Sequence, residues 1–390
     1  MDGSPTIERH APETEIIERL VKRFAERAGE YDRRGEICLD NLEELRAAGL
    51  LSLAVPRKKG GEGAGLRRIT EVVARVAEGD PSTALILAMQ YLQTAGIVAS
   101  RTWSDEVRDE VLTSIVESGA IINALRVEPE LGTPSRGGVP ATRVRRVGDR
   151  WLLSGRKIFS TGSSALHWGV VWGATEEEDP RIGQILVPLN LPGVRIEKSW
   201  HQLGMRATGS DTIVFEDVEV PERYLIGFIA QSAGNPETPA LAIWHTVVVS
   251  ALYDAVARAA RDWLVTFLEA RVPTALGRPL SSLPRFHAVI GEIDGLLLTN
   301  QALLERGLSL EGTEKTTLSE ASQIKRLMTE NAIAAVARAV EVTGNPGLNQ
   351  NNPLERHYRN VLCGRIHTPQ ADVVLESAGR LAFEKAHERN

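Results

Sequence analysis

The chain has 390 residues, 43% hydrophobic and 25% charged, with a formal net charge of -6. This is an ordinary globular mix, long enough for two or three domains, and it excludes a disordered chain. The basic residues are scattered rather than blocked, which argues against nucleic-acid binding, and two cysteines, Cys38 and Cys363, supply neither a disulfide framework nor a metal pattern.

Met1 to Pro5 is polar and has no apolar signal core. No run of about 18 apolar residues is read along the chain, so the expectation is a cytoplasmic protein without a membrane segment. Ile17, Leu20, Val21, Phe24 and Ala28 recur at helical spacing, and a second helix, Leu42 to Ala48, ends at Gly49. Pro56 to Gly63 is a turn-rich loop; Gly61-Glu62-Gly63-Ala64-Gly65 lacks the fingerprint of a nucleotide loop. Helical patterns then run from about Ile69 to Val116, broken near Gly79-Asp80-Pro81. The character changes near Ile121. Thr142 to Gly155 predicts a hairpin around Gly148-Asp149, and His167–Ala174, Ile182–Val187 and Thr212–Val220 predict further strands, with Pro188, Pro192 and Pro221 at their edges. From about Pro239 the helical period returns: Leu252, Val256, Ala260, Leu264 and Phe267 mark one long helix, and Ile324, Met328, Ala335 and Val342 another. Helices, then a β insert, then helices make an α+β plan with segregated layers, divided as 1–120, 121–230 and 231–390.

This three-part order resembles the acyl-CoA dehydrogenase superfamily over nearly the whole chain. Val55-Pro56-Arg57-Lys58-Lys59-Gly60-Gly61 is similar to an early Pro-rich, Gly-Gly loop of that family, and Glu128-Pro129-Glu130-Leu131-Gly132-Thr133 to its Thr-Glu-Pro-Gly-x-Gly-Ser segment. Gly155 to Gly162 resembles Gly-x-Lys-x-Trp-Ile-Thr-Asn, and Leu203 to Thr212 followed by Phe215 to Pro221 is the fullest match. The resemblance implies an N-terminal helical domain, a middle β-barrel or sandwich domain and a C-terminal four-helix bundle. It also implies a flavin, FMN or FAD. Val127 would line the flavin ring, Thr133 would help to hold the phosphates, and Phe159, Ser160 and Thr161 would stand beside the ring with Thr161 at the N5 edge. Arg271, ahead of Leu276-Gly277, would reach a neighbouring subunit's cofactor, although the family's phenylalanine is absent there.

The catalytic glutamate of many acyl-CoA dehydrogenases has no counterpart. In the C-terminal Ile-Tyr-Glu-Gly-Thr motif, Thr368 stands for the glutamate and His367 for the tyrosine. The other position that family members use lies on the helix after the β domain, where Ile243 to Ala255 offers Trp244, His245 and Tyr253 but only one carboxylate, Asp254. Threonine cannot act as a carboxylate base near neutral pH. The Gln-x-x-Gly-Gly segment is Glu341-Val342-Thr343-Gly344-Asn345, which favours FMN or a loosely held flavin.

These departures resemble the flavin-dependent monooxygenase branch, which includes dibenzothiophene monooxygenase. The resemblance implies reduced flavin from a partner reductase, oxygen activation as a C4a-(hydro)peroxyflavin, and His367 as the catalytic residue. A small-molecule substrate and a homotetramer, a dimer of dimers, are implied as well. The alternatives are an FAD-dependent acyl-CoA dehydrogenase with Asp254 or Glu341 as an unusual base, and a degenerate scaffold without catalysis. No metal site is expected.

Overall fold

The computed structural model describes residues 13–131, 138–230, 239–312 and 318–387. Helix α1 (Glu13–Arg34) buries Ile17, Leu20, Phe24 and Ala28 as one stripe, while Val21 stays half-buried at its margin. Helices α2 (Leu39–Ala47), α3 (Leu66–Gly79), α4 (Pro81–Ala99) and α5 (Asp105–Ser118) complete the N-terminal layer. Asp80 sets the break between α3 and α4. Its carboxylate accepts the Ser82 N–H at 3.0 Å and Pro81 occupies the first turn, an N-cap beside a proline that needs no donor.

Helix α4 is the most apolar of these helices. It is apolar and long enough, by composition, to cross a bilayer, yet 67% of its apolar window is buried inside the fold. Strand β1 (Ile122–Leu125), helix α3 and the later helix over Pro239–Ala270 cover it, as expected of a core helix.

The middle layer is an eight-stranded sheet of β1, β2 (Arg143–Val147), β3 (Arg150–Lys157), β4 (Trp168–Thr175), β5 (Arg181–Pro188), β6 (Val194–Glu197), β7 (Thr212–Val220) and β8 (Leu225–Ala230). Its order is β6-β7-β3-β2-β4-β5-β8, with β1 alongside β4. β4 is buried along its whole length because one edge is shared: β1 pairs in parallel with 168–171 and β2 with 174–175. The hairpin about Gly148 forms as the sequence indicates, with Val147 opposite Arg150. β1, β6 and β8 are short, and their alternation was too brief to read in the sequence.

Three long helices follow: α6 (Pro239–Ala270), α7 (Pro284–Leu308) and α8 (Leu318–Thr343). They pack with the short α9 (Asn345–Leu348), α10 (Pro353–Leu362) and α11 (Ala371–His387). Leu264, Leu268, Ile293, Val336 and Val361 form a core of their own inside this bundle. The first part of α6, with Val247, Val248 and Leu252, joins a larger core shared with the N-terminal helices and the sheet. α6 therefore carries one rigid surface from the sheet into the bundle.

Candidate active site

A buried ion pair sets the geometry on the sheet side. Lys157, the last residue of β3, is fully buried and its Nζ donates to Glu128 Oε1 at 2.6 Å. Glu128 also accepts the N–H groups of Ala141 and Thr142 at 2.6 and 3.0 Å. Burial pushes the Lys157 ammonium down to about 8 against the pull of Glu128. Burial alone would raise the Glu128 carboxyl, but Lys157 and the neighbouring donors hold it below its usual range. Next to this pair, the Ile158 N–H donates to the Val127 carbonyl at 2.9 Å. The two segments that the sequence assigned to the flavin wall are thus clamped together.

Beyond the clamp the chain turns sharply. Phe159 takes a left-handed φ of 57°, uncommon for a bulky side chain, and 54% of it is exposed. Its ring meets Trp200 edge-on, with centroids 6.2 Å apart. Asp211 holds Trp200 in place: Oδ1 accepts the N–H groups of Ser199 and Trp200 at 2.9 and 3.0 Å, and the indole Nε1 donates to the Met205 carbonyl at 2.9 Å. Ser160 is buried, its N–H on the Asp211 carbonyl and its hydroxyl turned to the Lys157 carbonyl. The Thr161 hydroxyl shares a hydrogen bond with Ser210 at 3.0 Å, and its carbonyl accepts from Asn123. Val127, Phe159, Ser160 and Thr161 are therefore brought together, with Phe159 as the exposed face and Ser160 as a support behind it.

The C-terminal wall is built on α6 and α8. His367 lies between α10 and α11, half-buried, and its Nε2 is 2.8 Å from the Tyr253 hydroxyl on α6. Burial, then the charges of His245 and Lys325, push the His367 imidazole down to about 3. Among the described residues, no carboxylate figures among the charges that act on it. Lys325 of α8 is buried; its Nζ donates to the His367 carbonyl and, at 3.1 Å, to the Pro369 carbonyl, and burial lowers it to about 8. Gly364 lets the segment lie against Tyr253, since a Cβ there would come within 3.2 Å of the ring. Two links join this wall to the Trp200 loop: the Met205 N–H donates to Asn360 Oδ1 at 2.7 Å, and Arg359 donates to the Leu203 carbonyl at 2.9 Å.

Two sequence candidates stand apart. Thr133 lies outside the described residues. Arg271 is exposed just beyond α6, about 27 Å along the helix from Tyr253 at 1.5 Å per residue, so it does not serve the same chain's His367 wall. Lys157 and Glu128 lay within quoted motifs but were not assigned a role. Lys325 was not singled out, although a lysine beside Ile324 on the apolar stripe of α8 marks a buried amine. Asn360 gave no comparable signal. Among the described residues, no group of three or more His, Cys, Asp or Glu is placed to hold a metal ion.

Neither alternative base is poised for proton abstraction. Asp254 is buried, with Oδ2 taken by Arg258 at 2.7 Å and Oδ1 by Asn300 at 2.8 Å. Glu341 is largely exposed and paired with Arg338 at 2.8 Å.

Comparison with known proteins places this architecture. The N-terminal, middle and C-terminal domain families of acyl-CoA dehydrogenase match residues 11–118, 127–218 and 248–370. YdbM of Bacillus subtilis (strain 168), assigned to the acyl-CoA dehydrogenases, is 31% identical over 95% of this chain and 96% of its own. Dibenzothiophene monooxygenase of Mycolicibacterium goodii is 27% identical over 94% of this chain and 93% of its own. The FMN-bound structure of TdsC from Paenibacillus sp. A11-2 superposes with a TM-score of 0.85 at 20% identity, covering 96% of this chain and 97% of TdsC. The chain belongs to the acyl-CoA dehydrogenase superfamily of flavin-dependent oxidoreductases.

Proposed function

We propose that the protein is a monooxygenase that uses reduced flavin and dioxygen to oxygenate a small molecule. The carrying observation is the wall where a dehydrogenase needs its carboxylate: it presents His367, hydrogen-bonded to Tyr253, followed by Thr368. A general base works best with a pKa near the working pH. His367, held near 3, is a poor acceptor for an α proton. A neutral imidazole can still donate a hydrogen bond, which is what an oxygen-bound reactant requires.

The residues present fit a flavin. The Phe159 ring, exposed beside Trp200, offers a stacking surface, and the Thr161 hydroxyl offers a hydrogen bond near it. Bound there, reduced flavin supplies the electrons and the activation of oxygen. The chain positions and screens the reactants, and His367 supplies the hydrogen-bond donor. Glu341 is a poor partner for a second phosphate, so FMN suits the chain better than FAD, and TdsC is an FMN-bound relative in fold. Reduced flavin is delivered by a separate reductase, and the reaction belongs in the cytoplasm.

The assembly is a homotetramer. Leu298 on α7 and Val373, Leu375 and Phe383 on α11 leave apolar side chains in solvent, with Phe383 72% exposed, as bundle faces that pack against further subunits do. Arg271 would then contribute to a neighbouring subunit's site.

The test supplies photoreduced FMN or FAD, then oxygen. Tight binding of reduced flavin and slower reoxidation than free flavin are expected, with no bleaching of oxidised flavin by a panel of acyl-CoA thioesters in the absence of oxygen. Bleaching by a thioester would establish the dehydrogenase instead. A protein that binds neither redox form would be a scaffold.

A further inference from the structure

Tyr253 and His367 form a pair in which the position of one proton follows from burial. The Tyr253 side chain is 0% exposed, and among the described residues its hydroxyl hydrogen-bonds only to His367 Nε2, at 2.8 Å. A phenol has one hydrogen to donate, and an imidazole nitrogen either donates or accepts. Were Nε2 to carry the proton and donate to the Tyr253 oxygen, the phenolic hydrogen would sit in a sealed site without an acceptor. Such an unmade hydrogen bond costs about 1–3 kcal/mol. When Tyr253 donates to Nε2, both groups are satisfied.

We infer that Tyr253 is a positioning residue that donates to Nε2 and fixes His367 as the neutral, Nδ1-protonated tautomer, so that Nδ1–H is the donor His367 offers to a reactant. Only the use of that donor rests on the monooxygenase reading; the tautomer is a property of the chain. The surroundings keep the ring neutral. The groups that face the pair are His245 on α6, Lys325 on α8 and the Cys363 thiol, and none is an anion under working conditions. Tyr253 remains a phenol because burial raises it well above its ordinary value. Lys325 fixes the backbone from the other side by donating to the His367 carbonyl, which holds the segment that carries the ring against α8.

The experiment is 15N NMR on the full-length, histidine-labelled protein, with His367 assigned by the resonances lost in His367→Gln. The expected wild-type ring has its proton on Nδ1 and stays neutral from pH 8 to pH 5. Tyr253→Phe keeps the tilted ring contact but removes the donor; at least half of the His367 population is expected to move to the Nε2-protonated form or to titrate near an ordinary histidine pKa. A wild-type ring protonated on Nε2 would overturn the inference, as would a Tyr253→Phe spectrum identical to wild type. Should Tyr253→Phe fail to fold, the wild-type assignment decides alone. No flavin, oxygen or substrate enters this measurement, so its failure is distinct from failure of the monooxygenase reading.

Discussion

Replacing Lys157 by methionine tests whether a buried charge pair holds the flavin wall. Lys157 and Glu128 are 0% and 1% exposed, and the ammonium neutralises a carboxylate whose other partners are two backbone N–H groups. Removing one partner of such a pair costs about 3–5 kcal/mol, because the remaining charge is left buried. The double variant Lys157→Met/Glu128→Gln leaves no charge and keeps an acceptor for one of the two N–H groups, which bond to different carboxylate oxygens, so it should lose at least about 2 kcal/mol less than the sum of the single losses. The pH dependence has a definite sign. In Lys157→Met the Glu128 carboxyl rises above its unfolded value, the folded state binds the extra proton, and stability should recover as the pH falls. Urea unfolding at pH 7 and pH 5 measures both effects, and flavin affinity should fall as the Val127–Ile158 joint loosens. A loss below about 1 kcal/mol for Lys157→Met, or strict additivity in the double variant, would refute the reasoning.

Gly204→Ala should disturb the link between the Trp200 loop and α10, since its Cβ would fall 2.2 Å from the Arg359 carbonyl oxygen. A loss of about 1–3 kcal/mol with weaker flavin binding is expected in thermal melts and titrations. Acid should unfold the protein through buried histidines. His357 is 4% exposed and held near 3, so the unfolded chain takes up its proton first as the pH drops below about 6.5. At pH 5 this costs about 2 kcal/mol. His357→Gln should flatten the stability-versus-pH curve between pH 6.5 and 4 by about one proton, and an unchanged slope contradicts the assignment. Asp254→Asn should lower the melting temperature by disturbing Arg258 and Asn300, yet leave flavin reoxidation kinetics near wild type; loss of redox activity in a folded variant would restore Asp254 as a base.

Much of the fold was legible because long helices repeat their pattern many times. The buried stripe of α1 and the long face of α6 are written over several turns, and the hairpin about Gly148 carries its own turn signal. β1, β6 and β8 were missed because four to six residues are too few to separate alternation from chance. α4 meets the length and hydropathy of a span for a related reason: a core helix covered on several sides has no polar face, so composition alone does not distinguish the two. At the site, motif order located Phe159 and His367. Their function depends on partners far away in sequence. Tyr253 is 114 residues from His367, and Asn360 is 155 from Met205. Such pairings arise only when α6, α8 and α10 pack. Ser160 shows the converse: the motif placed it beside the flavin, but the turn at Phe159 points its hydroxyl into the backbone.

The most direct test of oxygen chemistry over dehydrogenation is an anaerobic spectrum followed by oxygen. The flavin-loaded protein is first mixed with acyl-CoA thioesters of several chain lengths, and a second sample is photoreduced and mixed with oxygenated buffer. Monooxygenase chemistry predicts an unchanged oxidised spectrum in the first sample and reoxidation slower than that of free flavin in the second, with His367→Ala changing the second only. Bleaching of the first sample by any thioester, with reoxidation insensitive to His367, would contradict it.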